Sequence, residues 1–249
     1  MSDIPNLLPT LVGVFILAAI ATEILTTYGV PHRWTPILAI LRGTLQLAVI
    51  SVILAGVISS VVWVAVALAV MFSIAALTAT RRIGWSWNHA ALVGSAMAIG
   101  IAVTLSVVFL TGAIEFTARY VLAIGGIVIG NAMSIATLAG RNVTDAVIDH
   151  WDDVEGWMAL GANPRQSTID LARRAVYNAL IPSIDQTKTT GLVTLPGAFV
   201  GAIFGGVSPL EAGRFQVVVL ASVMAAGAIT AVIVTSALAP ARYKPVALK

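Results

Sequence analysis

"LGANPRQSTIDLARRAVYNALIP", Leu160 to Pro182, places three arginines and an aspartate in a chain of which only 10% is charged. It stands between two long apolar blocks. Asn163-Pro164 sets a capping side chain before a proline at the first helical position, where no backbone N–H is missed. Beyond that start, Ile169, Ala172, Val176 and Leu180 recur at three- and four-residue spacing, while Asp170, Arg173, Arg174 and Asn178 point elsewhere. The pattern predicts an amphipathic helix, able either to lie on anionic lipid or to dock a protein.

Around this segment the composition is that of an integral membrane protein. Of 249 residues 59% are hydrophobic, and the mean hydropathy is +0.97, whereas about a quarter of a soluble domain is charged. Apolar stretches of about 20 residues, enough at 1.5 Å per residue to cross roughly 30 Å of hydrocarbon, recur along the chain. No separate soluble domain fits. Met1-Ser2-Asp3 lack the cationic start of a secretory signal, so the first apolar stretch reads as a retained span. Without cysteine the chain has no disulfide and no thiolate metal centre.

Hydropathy predicts an all-α, polytopic fold of about seven transmembrane helices, one transmembrane domain over residues 1–249. The spans run over about 8–27, 36–57, 61–79, 90–111, 121–139, 186–206 and 217–239, with residues 141–181 as one long cytoplasmic excursion. An outside N-terminus puts Arg33, Arg81, Arg82, Arg141, Arg165, Arg173, Arg174, Arg242, Lys244 and Lys249 in the cytoplasm, leaving Arg119 and Arg214 outside. The opposite orientation would strand most of the basic residues outside, so a cytoplasmic C-terminus is expected. Trp34, Trp85, Trp87, Tyr28, Tyr120 and Tyr243 fall at predicted span ends, where amphipathic rings are stable.

Upstream of the opening stretch, "EGWMALGANP" sets Glu155 six residues before Gly161, followed by Ala162 and Pro164. Trp157, Met158 and Leu160 offer apolar knobs, and Gly161 permits a sharp turn. This resembles the EAA-type coupling loop of ABC transporter permeases, although Gly156 and Trp157 replace two alanines and Leu180-Ile181-Pro182 stands in for the displaced proline end of the motif. A broader resemblance rests on "RGTLQL" (42–47), "GNAM" (130–133), "ALGANPRQ" (159–166), "ALIPSI" (179–184), "GLVTLPG" (191–197) and "GGVSPLEAGRFQ" (205–216). In order and spacing these are similar to the FetB/YbbM family of ABC permeases, linked to iron export and, in plants, to aluminium tolerance. The resemblance implies a homodimeric permease in the cell (cytoplasmic) membrane, partnered by a separate ATPase subunit that holds ATP and Mg. It implies no cofactor on this chain, with ATPase coupling at Glu155, Trp157, Met158, Leu160, Gly161, Ala162 and Pro164. Where the family pattern continues "LPG" with two methionines, threonine, glycine and glutamine, this chain has Ala198, Phe199, Val200, Gly201 and Ala202. Alanine, phenylalanine and valine cannot ligate a metal, which separates membership of the family from its cargo.

Ionisable and amide groups within spans are costly in lipid and turn toward a bundle interior or a pathway. Glu23, Arg42, Gln46, Asn131, Asp185 and Lys188 are therefore the translocation-path candidates. For Glu23 with Arg42, and for Asp185 with Lys188 three residues on, a structural ion pair is the simpler reading. Interhelical hydrogen bonding would equally account for Gln46 and Asn131. Gly197, Gly201 and Gly205, following Pro196, put a smooth stripe on the sixth span, and Gly126 and Gly130 repeat it in the fifth. Such stripes suit packing within one subunit, a dimer seam or a moving contact.

No catalytic motif is present. Lys188 follows Thr187 and not glycine, so there is no GxxxxGK[ST] loop, and HExxH and GxSxG are absent. "DHWDD" (149–153) has the residue types of a cation site, but its acidic groups also suit the start of a helix. The expected function is the permease subunit of an ABC exporter, with iron or another metal as cargo. The alternatives are an ABC permease for a non-metal solute, an ion-coupled secondary carrier using Glu23, Arg42 and Asp185, and a membrane scaffold that carries nothing.

Overall fold

The computed structural model describes residues 7–57 and 60–245, and Lys249 and the Met1-Ser2-Asp3 start lie outside them. Two compact units, 1–59 and 60–249, make up the chain. In the first, α1 (Leu7–Thr27) and α2 (Thr35–Val57) pack against each other. Gly29 at φ +75° turns the chain between them, a conformation open to glycine because it lacks Cβ.

The second unit holds α3 (Val61–Ile83), α4 (Trp87–Leu110), α5 (Ala118–Asp149), α6 (Trp151–Ala159), α7 (Pro164–Thr189), α8 (Gly197–Phe204) and α9 (Pro209–Leu238). Hydroxyls begin three of them: Ser86 accepts from His89 N–H, Thr117 from Tyr120 N–H and Ser208 from Glu211 N–H. Each answers one of the N–H groups that the first helical turn leaves unpaired. Among the described residues, α1, α3, α4, α5 and α9 are long and apolar enough to cross a membrane.

Close approach fixes the relative directions of α3, α4, α5 and α9. A Cβ on Gly125 would lie 2.9 Å from Leu68, and one on Gly140 would lie 2.6 Å from Ile83, so α3 and α5 advance in parallel. Tyr120 stacks on Phe215 and Gly227 abuts Ile135 further along, which makes α5 and α9 parallel too. Against these, α4 runs antiparallel: Thr230 donates to the Ala96 carbonyl at 3.5 Å, while a Cβ on Gly100 would meet the Ala226 carbonyl at 2.7 Å. At one end Arg141 Nε donates to the Arg82 carbonyl at 3.0 Å, tying α5 to the last turn of α3.

Because α5 and α9 run parallel, the chain between them has to cross back, and α7 begins that return. Ala172 and Ala175 pack with Val143 and Ala239, and Ala179 packs with Ile135, Ala139 and Ala231. The buried face of α7 is thus Thr168, Ala172, Ala175, Ala179 and Ser183. Small side chains let helices approach closely without a strong hydrophobic stripe.

Three expectations change. The helix beginning at Pro164 packs one face lengthwise on α5 and α9 and leaves the other exposed, and the packed face is rotated so that Ile169 stays exposed. Residues 141–181 are not a loop, since α5 continues to Asp149; its 32 residues extend about 48 Å at 1.5 Å each, well beyond a hydrocarbon core. Residues 186–206 are not one helix. α7 stops at Thr189, a turn carries Gly191 at φ +89°, and α8 starts only at Gly197. The turn at Gly191 ends α7, and Pro196, which holds the residue before it out of helical conformation, is the N-cap from which α8 starts. The return between α5 and α9 is therefore α7 plus α8.

Gly100→Ala pushes a carbon into the Ala226 carbonyl, which is backbone and cannot swing away. It should destabilise the detergent-solubilised protein by about 1–3 kcal/mol, seen as a lower Tm. Gly94→Ala, on the same helix with nothing within 4 Å of the added carbon, should leave Tm nearly unchanged.

Candidate functional site

The first candidate is the elbow between α6 and α7. The C-terminus of α6 closes with Leu160 N–H on the Gly156 carbonyl (3.1 Å), Gly161 N–H on Met158 (3.0 Å) and Ala162 N–H on Trp157 (3.0 Å). Gly161 has φ +94°, which a side chain would strain. Asn163 Oδ1 then accepts from Gln166 N–H, and Gln166 Oε1 from Asn163 N–H, both at 2.9 Å. This reciprocal capping box satisfies donors at both residues and starts α7 at Pro164. The elbow is a defined shape and not a slack connection.

Its tip is apolar and uncovered. Trp157 is 60% exposed and Leu160 81%, while Val154 on the inner face of α6 is buried and anchors it. Glu155, Trp157, Met158, Leu160, Gly161, Ala162 and Pro164 lie on the end of α6, the turn and the start of α7. Behind the tip lies a cleft of about 600 Å³ between α6 and α7, lined in part by His150, Asp153, Trp157, Gln166, Asp170 and Arg174. Asp152 and Asp153 occupy the first turn of α6, where negative charge is favoured. Among the described residues no group of three or more His, Cys, Asp or Glu could hold a metal ion.

The second candidate sits where α7 gives way to α8. A cavity of about 170 Å³ is lined by Ile127 and Asn131 of α5, Ser183, Gln186 and Thr187 of α7, Pro196, Gly197 and Ala198 at the start of α8, and Gln216 with its neighbours on α9. Asn131 Nδ2 donates to the Ile127 carbonyl at 2.9 Å, and no hydrogen bond among the described residues engages its Oδ1. Gln216 is 5% exposed, and its Oε1 has no partner among the described residues. A buried amide left in that state is costly unless something supplies a donor. Gln216 escaped notice in the sequence because the predicted seventh span starts at 217, whereas α9 begins at Pro209.

The other path candidates divide. Asp185 and Lys188 lie on the exposed side of α7 beside Gln186 and Thr187, at the level of the apolar spans. Polar groups at that depth face water or protein and not lipid. Among the described residues the one ion pair is Arg173–Asp170 at 3.1 Å, so neither Asp185–Lys188 nor Glu23–Arg42 forms. Glu23 follows the buried Thr22 by one residue, about 100° around the helix, which leaves it on the open face of α1. Gln46 and Arg42 are likewise exposed on α2. In the proposed glycine stripe, Gly197 and Gly201 have nothing within 4 Å of an added Cβ, so no element of this unit packs on them. Gly205 lies beyond α8 as its C-cap.

Comparison with known proteins agrees over nearly the whole chain. The family described as "Uncharacterised protein family (UPF0014)" matches residues 8–243. The chain is 34% identical over 207 residues to the UPF0014 membrane protein STAR2 of Oryza sativa subsp. japonica, covering 82% of this chain and 73% of that one. It is 34% identical over 198 residues to the protein ALUMINUM SENSITIVE 3 of Arabidopsis thaliana, covering 79% and 72%. Over 138 residues it is 36% identical to the "Probable iron export permease protein FetB" of Escherichia coli (strain K12), covering 55% and 53%. No solved structure matches it.

If the Gln216 amide is a stability cost borne for a ligand, Gln216→Met should remove the unpaired acceptor at nearly constant volume. The expected result is an unfolding temperature equal to or above that of the parent protein. A marked fall would mean that the amide is satisfied in the folded protein.

Proposed function

The chain belongs to the UPF0014 family, and from that we infer that it is the permease subunit of an ABC exporter, driven by a separate ATPase subunit that binds ATP and Mg. The observation that carries this reading is the rigid elbow whose exposed Trp157 and Leu160 stand at the head of α7. An uncovered tryptophan and leucine on a fixed turn are suited to a pocket in a partner, where such anchors dominate binding energy. In this reading ATP-driven closure of the ATPases pushes the elbow. α7 carries the displacement to the turn at 190–196 and to α8, beside the polar cavity. Coupling is mechanical, and the chain itself is not an enzyme.

Two copies of the chain complete the transporter. The exposed polar side of α7 at Asp185, Gln186 and Lys188, together with the unpacked Gly197 and Gly201, supports a second copy or a water-filled path there. The protein sits in the cell membrane with its N-terminus outside and the elbow and C-terminus in the cytoplasm, consistent with the basic residues of that side.

Iron is the cargo that the name of FetB brings to this chain. A second reading, a non-metal solute, is favoured by the run from Ala198 to Ala202 beside the cavity, none of whose side chains binds a metal.

Co-purification with the ATPase tests the docking. Trp157→Ala with Leu160→Asp should reduce recovery of the ATPase at least tenfold while the permease keeps its Tm, because both side chains are exposed. Transport by the chain in vesicles without an ATPase would instead establish a secondary carrier. For orientation, the natural lack of cysteine is useful. Glu115→Cys should react with a membrane-impermeant maleimide on intact cells, and Arg165→Cys only after permeabilisation.

A further inference from the structure

We propose that the cavity between α5, α7, α8 and α9 binds a small monoanion that also carries a hydroxyl, the shared chemistry of a 2-hydroxy monocarboxylate and of dihydrogen phosphate. As an assignment of cargo this rests on the permease reading above; as a binding site it stands alone.

The cavity presents donors on one side and acceptors on the other. Donors come from α8. Pro196 is its N-cap and has no side chain able to cap, the first closing bond is Val200 N–H to the Pro196 carbonyl, and among the described residues no hydrogen bond engages the N–H groups of Gly197, Ala198 and Phe199. A helix start of this kind carries a partial positive charge and aims N–H groups at an anion. Gly197 and Ala198 line the cavity itself, and neither has a side chain long enough to fill the space before those groups. Elsewhere in the unit, Ser86, Thr117, Asn163 and Ser208 accept from the starts of α4, α5, α7 and α9, whereas α3 and α6, like α8, have no side-chain cap. α8 leaves its own start open toward a polar cavity.

Acceptors come from the facing helices. Gln216 Oε1 is buried and unpartnered, and Asn131 Oδ1 is left over once its Nδ2 has bonded to Ile127. Their amide nitrogens can donate to any anion, but a ligand O–H group is what satisfies these oxygens, and a halide or a carboxylate without a hydroxyl has no proton for them. Charge sets the other limit. No lysine or arginine lines the cavity, and a helix end supplies only about half an elementary charge, so one negative charge suits the site and two do not. A bare cation is disfavoured by the same helix end, and no carboxylate is present among the lining residues to hold it. At about 170 Å³ the cavity admits a group of a few heavy atoms, and it opens along the exposed side of α7 at Gln186 and Thr187.

The experiment is equilibrium dialysis of the purified full chain in lipid nanodiscs against radiolabelled lactate, against radiolabelled phosphate at mildly acidic pH, and against ferrous ion, each with and without excess chloride. Saturable binding of lactate or of phosphate, not displaced by chloride, is expected, and the better ligand of the two identifies the source of the anion. Gln216→Met should weaken that binding about tenfold or more, with Asn131→Leu as a second variant should the first not fold. The proposal is overturned if the folded protein binds neither anion, if Gln216→Met binds as well as the parent, or if ferrous ion binds and the anions do not. No ATPase is present in the assay. Anion binding by a chain to which no ATPase docks would retain the site and remove the permease reading, and docking without anion binding would do the reverse.

Discussion

The close packing of α7 between two parallel helices is the constraint on which the rest of the unit depends. α5 and α9 run in the same direction, so the chain joining them must return, and the segment available for the return is polar along much of its length. It can do so because one face is nearly free of bulk: Thr168, Ala172, Ala175, Ala179 and Ser183 let it lie against both neighbours. With backbones that close, α7 gains dispersion contacts and shields its polar backbone without a broad apolar stripe.

From that seam the two candidate sites follow. Below it, α7 begins at a capped and fully hydrogen-bonded elbow whose apolar tip remains uncovered. Above it, the helix stops short of completing the return, and Pro196 restarts the chain as α8. A broken helix at membrane depth leaves backbone groups without partners, which is tolerated where they face protein or a water-filled cavity and not where they face lipid. The lining of Asn131, Gln186, Gln216 and the start of α8 meets that condition. One rigid helix therefore joins an exposed tip at one end to a polar cavity at the other, a layout in which a push on the tip has somewhere to go.

Much of this was legible from residue order. The turn at Gly161 and the helix start at Asn163-Pro164 were legible because turn and cap chemistry is local: glycine at positive φ, and asparagine before proline with glutamine three residues on. Asn131 was singled out because an amide in an apolar span is conspicuous. Gln216 was not, since hydropathy alone begins the last span one residue later and cannot see that Ser208-Pro209 starts the helix well before it. The ion pairs expected for Glu23 with Arg42 and for Asp185 with Lys188 depend on which way each helix is turned, and spacing does not decide that. The periodicity of α7 identified most of its packed face, since Ala172 is buried and Val176 and Leu180 pack on the neighbouring helices, but it placed Ile169 there too, which stays exposed while Thr168 and Ala175 are buried.

The sequence by itself determined that this is an all-α membrane protein of the UPF0014 kind, where its long helices lie, and that a glycine-turned elbow interrupts them, because hydrophobic length, capping and turn conformation are properties of neighbouring residues. Only the tertiary structure decided that the polar helix packs on α5 and α9, that the sixth apolar segment is two pieces joined by the turn before Pro196, and that Asn131 and Gln216, 85 positions apart in the chain, share one cavity. Those outcomes are set by the parallel course of α5 and α9, which no local pattern encodes.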